Sequence, residues 1–296
     1  MIRYRITLEH LRERMEKECP GWLKKAELRT AKFRKAKQYV KEKPIWSEVK
    51  PVYMKLQGDC KCAFCERKME AVTYGKGEQD VEHFRPKSSI KAWKAPEALA
   101  KRGVAIAAVP KGEKGYYLLP YHPFNYTAAC KPCNSALKSN YFPVAKKHHC
   151  AGADPKALLE EEQPLLIYPI GDFDEDPENL IRFYGASPYA VKRSGHGRKR
   201  ALVTIEFFKL DAADARNLFR ERAEIIRALY RELDDAATLK GMKKKAAMEM
   251  IKAYTSSTHQ HANCARSFMR LYQENPAEAE EVYNHVREFI RTKEPK

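Results

Sequence analysis

Four cysteines in two Cys-x-x-Cys pairs, Cys62-Ala-Phe-Cys65 and Cys130-Lys-Pro-Cys133, bracket a Glu-His dipeptide at Glu82-His83. Cysteines three apart can aim two sulfurs at one point, so two such pairs can close a tetrahedral zinc site. A clip of this kind would join the segments on either side of Glu82-His83. It would also bring Asn134, the residue after the second pair, into the same small volume. A carboxylate and an amide oxygen suit a hard divalent ion such as Mg²⁺ or Mn²⁺. A histidine beside them can take a proton from water, for a gain of roughly 10²–10⁴-fold. Together these groups meet the needs of phosphodiester hydrolysis, where the ion would offset charge on the phosphoryl and leaving oxygens.

Positioning these groups requires particular elements. Neighbouring strand residues point to opposite faces, so Glu82 and His83 can share a site only at a strand end. Pro86 makes a break there plausible, and the spacing predicts a short strand ending at Glu82-His83. Tyr116-Tyr-Leu-Leu119 reads as its partner strand. Asn134 to Lys138 should open a helix after the second cysteine pair. Residues 89–115, rich in Ala, Lys and Gly, read as a surface insertion with a turn at Lys111-Gly-Glu-Lys-Gly115.

The flanks look helical. Residues 7 to about 43 carry apolar stripes, first Leu8, Leu11 and Met15, then Trp22, Ala26, Phe33, Ala36 and Val40. These predict one or two helices interrupted near Pro20-Gly21 and ended by Pro44. Another short helix is expected from Val49 to Gly58. Leu165-Leu-Ile-Tyr168 is a short apolar run, and Asp172 to Glu178 reads as a solvated acidic connection. Asp211 can cap a long helix bearing Leu218, Ile225, Leu229 and Leu233, with two more helices broken near Gly241 and Pro276. The expected class is α+β and predominantly helical. Four regions are expected: basic N-terminal helices (1–50), a site-bearing core (51–150), a connecting segment (151–210) and a C-terminal helical region (211–296).

Composition narrows the partners. The 296 residues include 56 Lys and Arg against 39 acidic residues, a formal net charge of +17. Such an excess favours a polyanion, nucleic acid above all. No apolar run reaches the roughly 18–20 residues needed to span a bilayer, so no membrane role is expected. Residues 1–6 lack the apolar stretch of a signal peptide, and the expected compartment is the cytoplasm. Thiols stay reduced there, which favours metal ligation over disulfides. Cys19, Cys60, Cys150 and Cys264 lack comparable pairing and read as incidental or buried thiols. His148 and His149 beside Cys150 read as solvated loop rather than a second metal site.

Three stretches carry a family resemblance: Leu56-Gln-Gly-Asp-Cys-Lys-Cys-Ala-Phe-Cys-Glu66, Val81-Glu-His-Phe-Arg-Pro-Lys-Ser88 and Asn125-Tyr-Thr-Ala-Ala-Cys-Lys-Pro-Cys-Asn134 with Lys138 and Phe142-Pro143. They resemble the HNH endonuclease superfamily, built on a small ββα-metal core with a structural four-cysteine zinc site. More narrowly they are similar to the PtuB-like HNH subunit of Septu-type anti-phage systems, also found as a retron-associated effector. Glu162-Gln-Pro-Leu-Leu166 and Thr204-Ile-Glu-Phe-Phe-Lys-Leu-Asp211 extend the resemblance, which covers about residues 50–225.

The resemblance implies a divalent-metal-dependent endonuclease, acting on DNA first and RNA, including tRNA, as the alternative, with a Septu-like ATPase as partner. It implies Glu82 as the metal-binding acid, where Asp is more usual, and His83 as general base. Asn125 would fix the loop that carries the base, and Asn134 would complete the ion's ligands. Lys138 and Arg85 would contact phosphate. Pro123 stands where the pattern carries Trp, and the 89–115 insertion lengthens the stretch between base and Asn125. Two other readings stay open, a zinc-dependent nucleic-acid-binding module without catalysis and a four-cysteine iron redox protein.

Overall fold

The Thr7 side chain accepts a hydrogen bond from the His10 amide and so caps α1 (Leu8–Glu18), which buries Leu11 and Met15. Gly21, at φ 74°, turns the chain into α2 (Trp22–Ala36). Trp22, Ala26 and Phe33 are its buried face, and it ends at Ala36, well short of Pro44. After a turn of 3₁₀ helix at Trp46–Val49, α3 (Lys50–Leu56) buries Val52, Tyr53 and Met54. The computed structural model describes residues 1–75, 77–112, 114–212 and 216–292.

Beyond α3 regular structure becomes sparse. Strand β1 (Gln79–His83) ends where expected, and α4 (Glu97–Lys101) is a single turn within the 89–115 insertion. The partner of β1 is not Tyr116–Leu119 but β2 (Tyr126–Cys130), antiparallel, with Glu82 opposite Thr127 and His83 opposite Tyr126. Tyr116–Leu119 instead forms tight turns, Tyr117 bonding back to Gly115 and Leu119 to Tyr116. Its apolar side chains satisfy a strand pattern, but they fill the core from an irregular loop. A π-helical segment, Pro132–Lys138, follows β2 directly.

The segment 151–210 is far more than a connection. It contributes α5 (Pro155–Glu162), α6 (Pro177–Leu180), an antiparallel pair β3 (Ile181–Tyr184) and β4 (Ser187–Ala190), and α7 (Gly195–Phe207). Leu165, Leu166, Ile167 and Tyr168 are all buried. The acidic stretch 172–178 also turns inward, because both Asp174 carboxylate oxygens take hydrogen bonds from Arg200, each at 2.6 Å. Burial of a charge at that position needs the paired cation that α7 supplies.

The C-terminal part comprises α8 (Leu218–Thr238), α9 (Gly241–Thr255), α10 (Ala262–Glu274) and α11 (Pro276–Thr292). Three helices therefore follow α8 rather than two. Asp211 caps none of them: its carboxylate pairs with Arg102 at 2.6 Å, and α8 begins after Asn217. One buried apolar cluster runs from Met1 to Ile290, so the four regions share a core. The fold is α+β, with helix outweighing two small antiparallel sheets. Among the described residues no helix is long and apolar enough to cross a membrane.

Candidate metal centre and adjoining cleft

The sulfurs of Cys62, Cys65, Cys130 and Cys133 lie within 4.8 Å of one another, and all four residues are buried. The first pair sits on a tight turn, closed by the Cys62 amide on the Arg67 carbonyl and the Glu66 amide on the Cys62 carbonyl. Glu66 takes the left-handed conformation there, φ 61°. The second pair spans the end of β2 and the start of the π-helical segment, and the Cys130 amide points at Cys62 Sγ, 3.4 Å away. Four converging thiols of this kind can hold a metal ion such as zinc. Hydrogen bonds from Cys130, Cys133 and Cys62 hold the Cys65 thiol well below the ordinary range.

Arg216 completes the surroundings of this cluster. Its two terminal nitrogens lie 3.5 Å from Cys133 Sγ, and one also reaches Cys130 Sγ at 3.8 Å. The same guanidinium donates to the Phe208 carbonyl at 2.7 Å. Thiolates gathered around a divalent ion leave net negative charge, and a cation here offsets it. No local spacing could have announced Arg216, which lies 83 residues from Cys133.

Next to the cluster opens a cleft of about 320 Å³ lined by Glu82, His83 and Asn134, with Trp46, Lys87 and Ser139 among its other walls. His83 is the last residue of β1, which is why it and Glu82 reach one space despite strand alternation. The turn beyond it is held by Asn125, fully buried. Asn125 Oδ1 accepts from the Arg85 amide at 2.8 Å, and Nδ2 donates to the Arg85 and Leu119 carbonyls at 3.1 and 3.0 Å. Its own carbonyl takes the Phe84 amide. A side-chain amide thus stands in for a strand partner where the ladder has ended.

The His83 ring is fixed from three sides. Nε2 lies 3.1 Å from the Pro120 carbonyl oxygen, and Trp46 and Tyr126 make T-shaped ring contacts with centroids at 4.8 and 5.1 Å. A carbonyl can only accept, so Nε2 carries the proton and neutral His83 keeps Nδ1 as an acceptor. Burial, reinforced by Lys87 and Lys138, pushes the imidazole well below its usual pKa and keeps it neutral.

Glu82 is buried and its Oε1 lies 3.3 Å from Lys138 Nζ, a charge contact not aligned as a hydrogen bond. Burial pushes the carboxyl up to about 7, against the opposing pull of Lys138 and Lys87. Lys138 is fully buried over the Phe142 ring and is committed to Glu82 rather than presented to a ligand. Arg85 also departs from the expected phosphate contact. It is buried among Phe142, Tyr116 and Phe84 and pairs with Glu162 Oε2 at 3.1 Å, outside the cleft lining. Tyr116 and the His149 amide satisfy the other Glu162 oxygen, so this network fastens the cleft-bearing turn to α5.

Asn134 donates through Nδ2 to Asp80 Oδ2 at 3.0 Å, leaving Oδ1 as the donor atom for a cation. Lys131 binds the same Asp80 oxygen at 2.9 Å. Sequence reasoning missed Trp46 and Lys87, whose ammonium lies 4.6 Å from the centre of the Trp46 ring. The His148, His149 and Cys150 side chains do not converge: they reach Phe142, Glu161 and Lys114 respectively. Cys62, Cys65, Cys130 and Cys133 form the one such cluster of potential ligands among the described residues. Comparison of the chain with protein-family models, with curated proteins and with solved structures found no match.

Proposed function

We propose that the chain is a divalent-metal-dependent endonuclease of the HNH type, hydrolysing phosphodiester bonds in nucleic acid, with DNA as the favoured substrate. One observation carries this reading: Glu82, His83 and Asn134 line a single cleft immediately beside four converging cysteines. The antiparallel β1–β2 pair, followed by the Pro132–Lys138 helical segment, supports reading this region as a ββα-metal core. Formal charge of +17 supports a polyanionic substrate. A Septu-like ATPase would be its partner.

In this reading Glu82 and Asn134 Oδ1 would hold Mg²⁺ or Mn²⁺, an oxygen donor set that suits a hard ion. When bound, that ion offsets charge on the phosphoryl and leaving oxygens. His83 acts through Nδ1, which the Nε2 contact with Pro120 leaves unprotonated, and removes a proton from the attacking water. Asn125 fixes the turn after His83 and so fixes the aim of the ring. The four cysteines would hold zinc as a structural clip that keeps Asn134 opposite Glu82.

The test is a cleavage assay on plasmid, single-stranded DNA and tRNA with Mg²⁺, Mn²⁺ or neither, comparing the chain with His83→Ala. Metal-dependent cleavage should fall by roughly 10²–10⁴-fold in the variant, while its zinc content stays unchanged. Cleavage by His83→Ala at the wild-type rate would remove the histidine from the mechanism. A second reading, a zinc-dependent binding module without catalysis, draws on the Glu82–Lys138 contact, which gives the buried carboxyl a partner without a metal ion. Nucleic-acid binding with no cleavage under any metal would favour it.

A further inference from the structure

Three cations near the cleft are already committed: Arg85 to Glu162, Lys138 to Glu82 and Lys131 to Asp80. Lys87 is different. It lines the cleft, rests on the face of Trp46, and has no carboxylate within ion-pair distance among the described residues. Across the rim stands Ser139, whose Oγ accepts from Lys91 Nζ at 3.0 Å. Lys91 is exposed and lies over the Tyr141 ring, 5.3 Å from its centre. Each lysine is thus held against an aromatic face while its charge stays available.

The stretch bearing these lysines is laced to the far wall of the cleft. The Lys91 amide donates to the Asn140 carbonyl at 3.0 Å, and Asn140 Nδ2 donates to Ser89 Oγ at 3.3 Å. Ser139 has φ 42° and ψ −135°, a sparsely populated positive-φ conformation that costs a non-glycine residue on the order of 1–3 kcal/mol. The bond from its amide to the Asn134 carbonyl, 2.7 Å, holds it there and ties the rim to Asn134, which lines the same cleft as Glu82.

We propose that Lys87, Ser139 and Lys91 form a phosphate track that receives the backbone of a nucleic-acid strand on one side of the Glu82–His83 cleft. This inference rests on the nuclease reading and deepens it. Lys87 binds the phosphate nearest the reacting one, and Lys91 with Ser139 binds the next along the same strand. Such contacts go to phosphate oxygens, so they set position and register without reading bases.

The experiment is fluorescence anisotropy of labelled single-stranded oligonucleotides with the full chain, without added divalent ion, over a range of KCl concentrations. Each phosphate contact on a single strand contributes about 0.7 to the slope of log affinity against log salt. Lys87→Gln and Lys91→Gln should each reduce that slope by about 0.7, weakening all sequences alike. Lys244→Gln, on α9 and away from the cleft lining, should leave it unchanged. Binding by the wild type with unaltered slopes in both cleft variants would overturn the track and leave the nuclease reading standing. An equal loss in Lys244→Gln would also overturn it, since any surface lysine would then do. Failure of the wild type to bind these strands would overturn the track and leave the nuclease reading to the cleavage assay.

Discussion

The region from Cys60 to Ser139 and the region from Leu218 to Thr292 are stabilised in opposite ways. The first holds two five-residue strands, yet it buries Lys61, Glu66, Gln79, Glu82, His83, Arg85, Asn125, Thr127 and Lys138. Its shape comes from cysteine convergence and from side chains that replace missing backbone partners. The second is four helices whose buried faces are mainly apolar and follow helical periodicity, such as Leu218, Ile225, Leu229 and Leu233 on α8, with fewer buried polar side chains, Arg222, His261, Asn263 and Ser267. Where backbone ladders are complete, apolar burial dominates, and the few buried polar groups, such as Asn263, tie the helices to other segments. Where they are interrupted to expose a site, each break needs its own polar closure, and each closure is a point of failure.

The sharpest way to break this contrast is to remove one cysteine. Cys130→Ser should abolish metal retention and destabilise the whole chain, since apparent zinc binding worth about 10–16 kcal/mol in zinc-finger peptides is linked to folding. Metal analysis and thermal melts measure this. A soluble variant that melts like the wild type would mean the thiols serve no structural ion.

Arg85→Ala should come next. It strands the Glu162 carboxylate in the interior, at an expected cost of about 3–5 kcal/mol, read by urea denaturation. A loss below about 1 kcal/mol would place the pair among exposed salt bridges, contrary to its burial. Leu229→Ala on α8 should cost about 2–5 kcal/mol through lost burial and a cavity. Its effect on nucleic-acid binding should be nil, so a matched loss of stability without a change at the cleft would sharpen the division. Altered binding affinity in that variant would show the two regions to be coupled. Least of all, Met242→Gln should shift stability by no more than about 0.5 kcal/mol, because that side chain is 89% exposed. A large change in its melting temperature would reveal a contact made by α9 in solution.

The cysteine cluster was legible because spacing within each pair is local, and bringing two pairs together was the only non-local step. The strand end at His83 was legible from Pro86. The strand partner was not: Tyr116–Leu119 has the apolar, aromatic character of a strand, and Tyr126–Cys130 offers little to rank it higher. Pairing was settled by where Cys130 must lie to meet Cys62 and Cys65. The pairing of the two cations expected at phosphate was illegible for a related reason. Arg85 and Lys138 look available beside Glu82 and His83, but Glu162 and Glu82 itself take them up.

By itself, then, the chain's pattern determined the helical character of both ends, the pairing of cysteines into knuckles and the candidate acid and base. Those depend on periodicity and on contacts a few residues apart. Tertiary structure alone decided that Arg216 faces the thiols, that Trp46 walls His83, and that Lys87 rather than Arg85 lines the cleft. Burial and ion pairing are set by groups tens of residues away, so a lysine or arginine does not reveal in its own sequence neighbourhood whether its charge is already taken.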